Sequence, residues 1–186
     1  MSASSFADKI IDKLDSAVGK DGYSYSSATP GIANQAIAEA VTEYLTDNTK
    51  INVAYVGTIP GPPPTPDPIV SDVCPITGSC APPFGTTFDI WIKSLESNIV
   101  AGFFIDRGQA GVTPISPAPA FIPGLSISQV SLRSTHEDNL DDPQKPVWEV
   151  ITGAILSWLN SIVAPSYAAS TSQSTGIATP TKTNVT

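Results

Sequence analysis

The residues able to do chemistry are few, and their spacing limits what they can do. His136 is the only histidine. Glu137, Asp138, Asp141 and Asp142 follow it closely, so this stretch carries the densest set of metal-type ligands in the chain. A calcium loop sets oxygen ligands at alternating positions around a central glycine, and no glycine lies here. A histidine base needs a paired nucleophile, and none of the serines sits in a nucleophile-elbow sequence. There is no glycine-rich phosphate loop. Cys74 and Cys80 sit close together in CPITGSC, but two thiols and a distant histidine do not make a zinc site. They read as free thiols, or as one small loop disulfide formed outside a reducing compartment. Trp91, Trp148 and Trp158 have the chemistry of a ligand cage, yet they fall at helical core spacing and read as packing. The expectation is a protein with no catalytic residue, no cofactor and no metal ligand. HEDNLDD reads as a solvated loop that ends in a helix cap.

Composition narrows the classes further. The chain has 186 residues, of which 41% are hydrophobic, enough for one domain with a substantial core. Only 14% are charged, well below the ~25% usual for soluble domains, as for a surface covered by something else. The net charge of −8 and pI near 4.3 leave no basic patch, which argues against nucleic acid as a partner. The 18 prolines and 13 glycines are clustered, so long irregular connections are expected. The opening MSASSFADKIIDKLD lacks a charged segment followed by an apolar one, and so does not read as a signal peptide. Synthesis in a cytoplasm without export is the expectation.

The element that must organise the rest is Pro143–Val163, PQKPVWEVITGAILSWLNSIV. Its apolar residues recur at helical spacing over a wide stripe, which demands partners on several sides. Asp142 can cap it and Pro165 stops it. Gly153 and Ala154 form a small-residue notch where another helix can approach. The stretch is nearly long enough to span a membrane, but Glu149, Ser157, Asn160 and Ser161 are spread through it. A buried soluble helix, with no membrane partner, fits better.

Three more helices are expected. Residues 4–18 place Phe6, Ile10, Ile11, Leu14 and Val18 on one face behind a Ser4 or Ser5 cap. A second begins at Thr29-Pro30 and turns Ala33, Ala36, Ile37, Ala40, Val41, Tyr44 and Leu45 inward. A third covers about 87–102, capped by Thr86 or Thr87, with Phe88, Trp91, Ile92, Leu95, Ile99 and Phe103 in its stripe. Asp89 in its first turn can pair with Lys93. Residues 51–59, INVAYVGTI, are the one convincing strand. PGPPPTPDP, residues 60–68, reads as a polyproline II spacer. IVSDV is a candidate short strand, GFFID a helix extension or a strand, and LSISQVSL a short strand or a turn. The fold class predicted is therefore mainly α: about four helices around the central 143–163 helix, a minor β element and long Pro-rich loops. Residues 1–168 form one domain with a Pro-rich excursion at 60–86, and 169–186 form an extended, polar C-terminal tail.

The two irregular stretches are short of large apolar side chains, so ordering them calls for a partner surface. The residues expected to make that contact are Ile69, Val70, Val73, Ile76 and Phe84 in the first, and Tyr167 and Ile177 in the second. Three segments, ATPGIANQAIAEAVTEYLTDNTKINVAYVG, TTFDIWIKSLESNIVAGF and PVWEVITGAILSWLN, resemble in order and spacing the small virion structural proteins of contractile-tailed bacteriophages. The resemblance spans roughly residues 30–160. It implies a non-enzymatic particle subunit (tail, baseplate, neck or capsid accessory) that is made in the host cytoplasm and located in the virion. Its partners would be other structural chains of the particle or further copies of itself, and it carries over no site residues. Two alternatives stay open: a bacterial cytoplasmic adaptor that presents the polyproline segment, and a membrane-associated protein that inserts helix 147–163.

Overall fold

The structure, a computed structural model, describes residues 2–18, 29–67, 71–105, 113–114, 124–141, 144–161 and 166–185. Expectations that fall on Ile69, Val70, the Asp142–Pro143 cap, Ile162, Val163 and Pro165 lie outside these residues.

Five helices are described: α1 (Ala3–Val18), α2 (Thr29–Asn48), α3 (Phe88–Gly102), α4 (Gln129–Asp138) and α5 (Gln144–Ser161). Large apolar residues at helical spacing make α1, α2, α3 and α5, and local caps fix their ends. Ser2, two or three residues earlier than expected, caps α1: its hydroxyl accepts from the Ser5 N–H at 3.1 Å. Thr87 caps α3 by accepting from Ile90 N–H at 3.3 Å. The interior of α5 is buried at Trp148, Ile151, Ile155, Trp158 and Leu159, and α5 packs against α1, α4 and the sheet.

The notch in α5 is filled by the start of α1. A Cβ placed on Gly153 would lie 3.8 Å from that of Ala3, and the buried Thr152 hydroxyl donates to the Ala3 carbonyl at 2.8 Å. Along its length α1 also packs on α2. There the rings of Phe6 and Tyr44 stack with centroids 3.9 Å apart. Lys9 and Lys13 both reach Glu43. The hydrogen bond from Lys13, then that from Lys9, holds this carboxyl below the usual range.

The expectation of a mainly helical fold with a minor β element is wrong. Among the described residues there is a seven-stranded antiparallel sheet: β1 (Thr49–Ile59), β2 (Thr65–Pro66), β3 (Ser71–Gly78), β4 (Phe103–Ile105), β5 (Thr113–Pro114), β6 (Tyr167–Ser170) and β7 (Thr175–Val185). The order is β4-β3-β1-β7-β6-β5, with β2 beside β1. β7 pairs with β1 from Thr58↔Thr175 to Thr49↔Val185, so the residues expected to trail as a tail sit at the sheet's centre. They give no strand signal because the side they bury is built from small residues: Ala169 and Ala178 are wholly buried, with Gly176 between them in sequence. Pro180 is accommodated by a bulge, where the register shifts between Asn52 and Val53.

The proline segment is also part of the sheet. Residues 60–64 form the exposed turn of a hairpin, and Thr65 and Pro66 pair with Ile59 and Thr58. β3 pairs with β1 through Pro75 and with β4 from Ile76 onward, so its partner changes at the proline. The fifth helix, α4, falls where LSISQVSL and HEDNLDD read as strand, turn or loop. It is polar and buries only Leu132, so apolar spacing does not reveal it. Ser128 caps it by accepting from Ser131 N–H at 3.2 Å.

Two links carry the chain directly from helix to strand: Asn48 to Thr49, and Gly102 to Phe103. The Asp89–Lys93 pair is absent. Asp89 instead meets Arg133 of α4 at 3.5 Å, and Lys93 meets the buried Glu96 at 2.6 Å. Glu96 also accepts from the Ile127 N–H at 2.7 Å, which ties the segment before α4 to α3. No helix among the described residues is long and apolar enough to cross a membrane.

Candidate interaction surface

Strand alternation divides the sheet into two faces. Ile51, Val53 and Tyr55 of β1, Cys74 and Ile76 of β3, Ala169 and Ala178 are buried on one of them. The helices cover this face, with α5 against β7 and α2 against β3. The intervening residues point the other way, where the described residues provide no cover. Val56 is 75% exposed, Ile177 55%, Val73 48% and Phe104 42%. Val56 and Ile177 are direct cross-strand partners. The result is a sheet face turned to solvent on which the apolar Val56 and Ile177 lie side by side among Lys50, Asn52, Thr58, Thr175 and Thr179.

Of the residues expected to contact a partner, the structure brings Val73 and Ile177 to this face. Ile76 is corrected: it is 3% exposed and belongs to the core, one position out of phase with Val73. Phe84 is 73% exposed but lies elsewhere, on the loop before α3. That loop is tied down by Ser94, whose hydroxyl accepts from Phe84 N–H at 3.1 Å, and by Asn98, whose amide donates to the Ala81 and Pro82 carbonyls. Tyr167 contributes backbone to β6 opposite Ala178. Val56 and Phe104 were not anticipated. The available signal was INVAYVG itself, in which an apolar residue also appears on the face opposite Ile51, Val53 and Tyr55.

Among the described residues, reactive side chains gather at the β6–β7 turn. Thr171 donates to Asp67 Oδ2 at 2.8 Å, and the Ser174 hydroxyl donates to the same oxygen. With its proton committed, Ser174 accepts from the Tyr55 hydroxyl at 2.9 Å. Ser174 is buried. No histidine enters the group, and both Ser174 and Thr171 give their protons to a weak base. The arrangement clamps the 171–174 turn onto the chain after β2. Beneath it Gly57 and Gly176 face each other across β1 and β7. A Cβ on Gly57 would strike the Tyr55 ring, and one on Gly176 the Val56 carbonyl, so glycine is required at both places.

His136 lies in the last turn of α4 and lines an open cleft of about 300 Å³ with Phe88, Leu132, Arg133, Glu137 and Val147. Asp138 and Asp141 do not join it: among the described residues no three His, Cys, Asp or Glu side chains are placed to hold a metal ion. Cys74 and Cys80 are both buried and are not joined in a disulfide, and burial pushes the Cys80 thiol up to about 12. The tryptophans pack as core elements: Trp91 meets Trp148 edge-on at 6.4 Å and donates to Asn34 at 2.9 Å. The chain matches no protein-family model, no curated protein and no solved structure.

Proposed function

We propose that this chain is a non-catalytic structural subunit of a large protein assembly, and that the assembly is the virion of a contractile-tailed bacteriophage. The observation that carries the structural role is the outer face of the sheet, which no described residue covers and on which Val56, Val73, Phe104 and Ile177 are exposed. Scattered exposed apolar residues are ordinary, whereas several on one regular surface mark a place where another protein sits. The low charged fraction of 14% supports the same reading, since interface centres are depleted of charge. The virion assignment rests on the resemblance of the three helical segments and their spacing. The contacts, however, come from a sheet face rather than from two free arms.

The test is mass spectrometry of purified particles, with the chain expressed as wild type or as Val56→Lys. Stoichiometric wild-type chain in the particles and exclusion of the folded variant are expected. Absence of the wild-type chain from particles overturns the virion assignment. Equal incorporation of the variant overturns the role of this face.

A further inference from the structure

We propose that the proline hairpin at the end of β1 is a preformed docking knob, and that its partner is a protein groove lined by Trp and Tyr side chains. The inference concerns a surface apart from the outer sheet face, and it stands whether or not the chain is a particle subunit. Residues 60–66, PGPPPTP, are all exposed. The pairing of Ile59 with Thr65 closes the hairpin, so Pro60 and Pro64 are the next residues beyond it on either side. A hairpin needs as few as two loop residues, whereas here five are used and four of them are proline. The chemistry of this tip specifies what can bind it. Proline has no N–H, so residues 60–64 offer a carbonyl at every position and a single backbone donor, Gly61. A partner must therefore supply donors. The chain is uncharged from Ile51 through Pro66, so a Lys or Arg donor would find no carboxylate at the tip to pair with. Trp and Tyr combine an apolar ring face, which suits the proline rings, with an N–H or O–H at the edge. Aromatic-lined grooves take proline-rich segments in this way.

The second feature is how firmly the knob is held. Asp67 follows β2 directly, and its N–H donates to the Gly57 carbonyl at 3.0 Å. Its carboxylate takes the hydroxyls of Thr171 and Ser174. Ser174 is buried and bonded in turn to Tyr55 of β1. Both ends of the hairpin are thus fixed, one by β1 and the other by the β6–β7 turn. Proline gives up no side-chain rotamer freedom when it is covered, and a segment already held in one shape gives up little more. The clamp therefore does more than hold the sheet together: it keeps the proline rings and the tip carbonyls in the arrangement a partner meets.

Nuclear magnetic resonance titration of the isotope-labelled chain tests this, with a panel of proline-recognising domains of the WW, SH3 and EVH1 types as the probe. At least one domain should bind and shift the amide signals of Gly61 and Thr65. Pro60→Ser combined with Pro64→Ser should weaken that binding ~10-fold or more, as loss of a central contact does. Both residues are exposed, so circular dichroism and melting of this variant should match wild type. Asp67→Ala, measured below its own melting temperature, should also weaken binding although the tip sequence is intact. Val130→Lys, at an 80% exposed position on α4, should bind as wild type does. The affinity should hold as salt rises from ~0.05 to ~0.5 M, because no ion pair is involved. Absence of binding across the panel, binding indifferent to the two proline changes, or an affinity abolished by salt overturns the proposal. An Asp67→Ala chain that binds like wild type overturns the part given to the clamp.

Discussion

Gly153 sits where Ala3 of α1 meets α5, and there is space at that point for one more carbon. A Cβ would rest 3.8 Å from Ala3, an ordinary contact. Glycine in a helix interior costs ~1 kcal/mol relative to alanine, so Gly153→Ala should stabilise the protein and raise its melting temperature by ~2–4 °C. A lowered melting temperature would show that α1 and α5 need the closer approach. Asp67 is the opposite case. It is the acceptor for the hydroxyls of both Thr171 and Ser174, and Ser174 is buried. Asp67→Ala leaves these donors without their acceptor, at ~1–3 kcal/mol. Chemical denaturation should register that loss, whereas a change of the same size at exposed Val130 should be silent.

The elements differ in how much of themselves they show in sequence. α1, α2, α3 and α5 are legible because large apolar residues mark the side each one buries. Trp158, 6% exposed in α5, is the kind of residue that makes the mark. Trp158→Ala should cost ~3–5 kcal/mol, and an unchanged melt would remove α5 from the core. β7 is illegible for the converse reason: alanine and glycine fill its inner side, and what holds it is a ladder to β1. Small side chains carry no periodic signal, and a ladder to a distant strand is invisible in a local window. α4 is hidden because Leu132 is its only buried residue. The same limit applied to the interaction surface. Ile177 stands out as an isolated apolar residue in a polar stretch, but β-pairing was needed to place Val73 and Val56 outside and Ile76 inside. The element-scale test is removal of 169–186. It strips β1 of a full-length partner and empties the sites of Ala169 and Ala178, so the truncated chain should lose its cooperative melt. A truncated chain that melts like the full one would make β7 an appendage.

At the scale of the whole molecule, the net charge of −8 opposes any contact between copies. Exposed charges more than a Debye length apart, ~10 Å at 0.1 M salt, are largely screened. Any self-association of the chain should therefore tighten as salt rises from low to moderate concentration, and weighted-average mass at fixed protein concentration would report it. Weakening with salt would point to an interface held by ion pairs instead. The pairing of β1 with β7 has a consequence of another kind, felt before any folded molecule exists. Even their nearest pair, Thr58 with Thr175, is more than a hundred residues apart in sequence. A ribosome adds ~5–20 residues per second, so β1 leaves the tunnel many seconds before its partner has been translated. β2 and β3 are soon available to one edge, while the other stays bare, able to recruit a strand from a neighbouring nascent chain. The yield of correctly folded protein is then governed by elongation speed and polysome crowding, and slower growth at low temperature need not help unless it also thins the traffic of half-made chains.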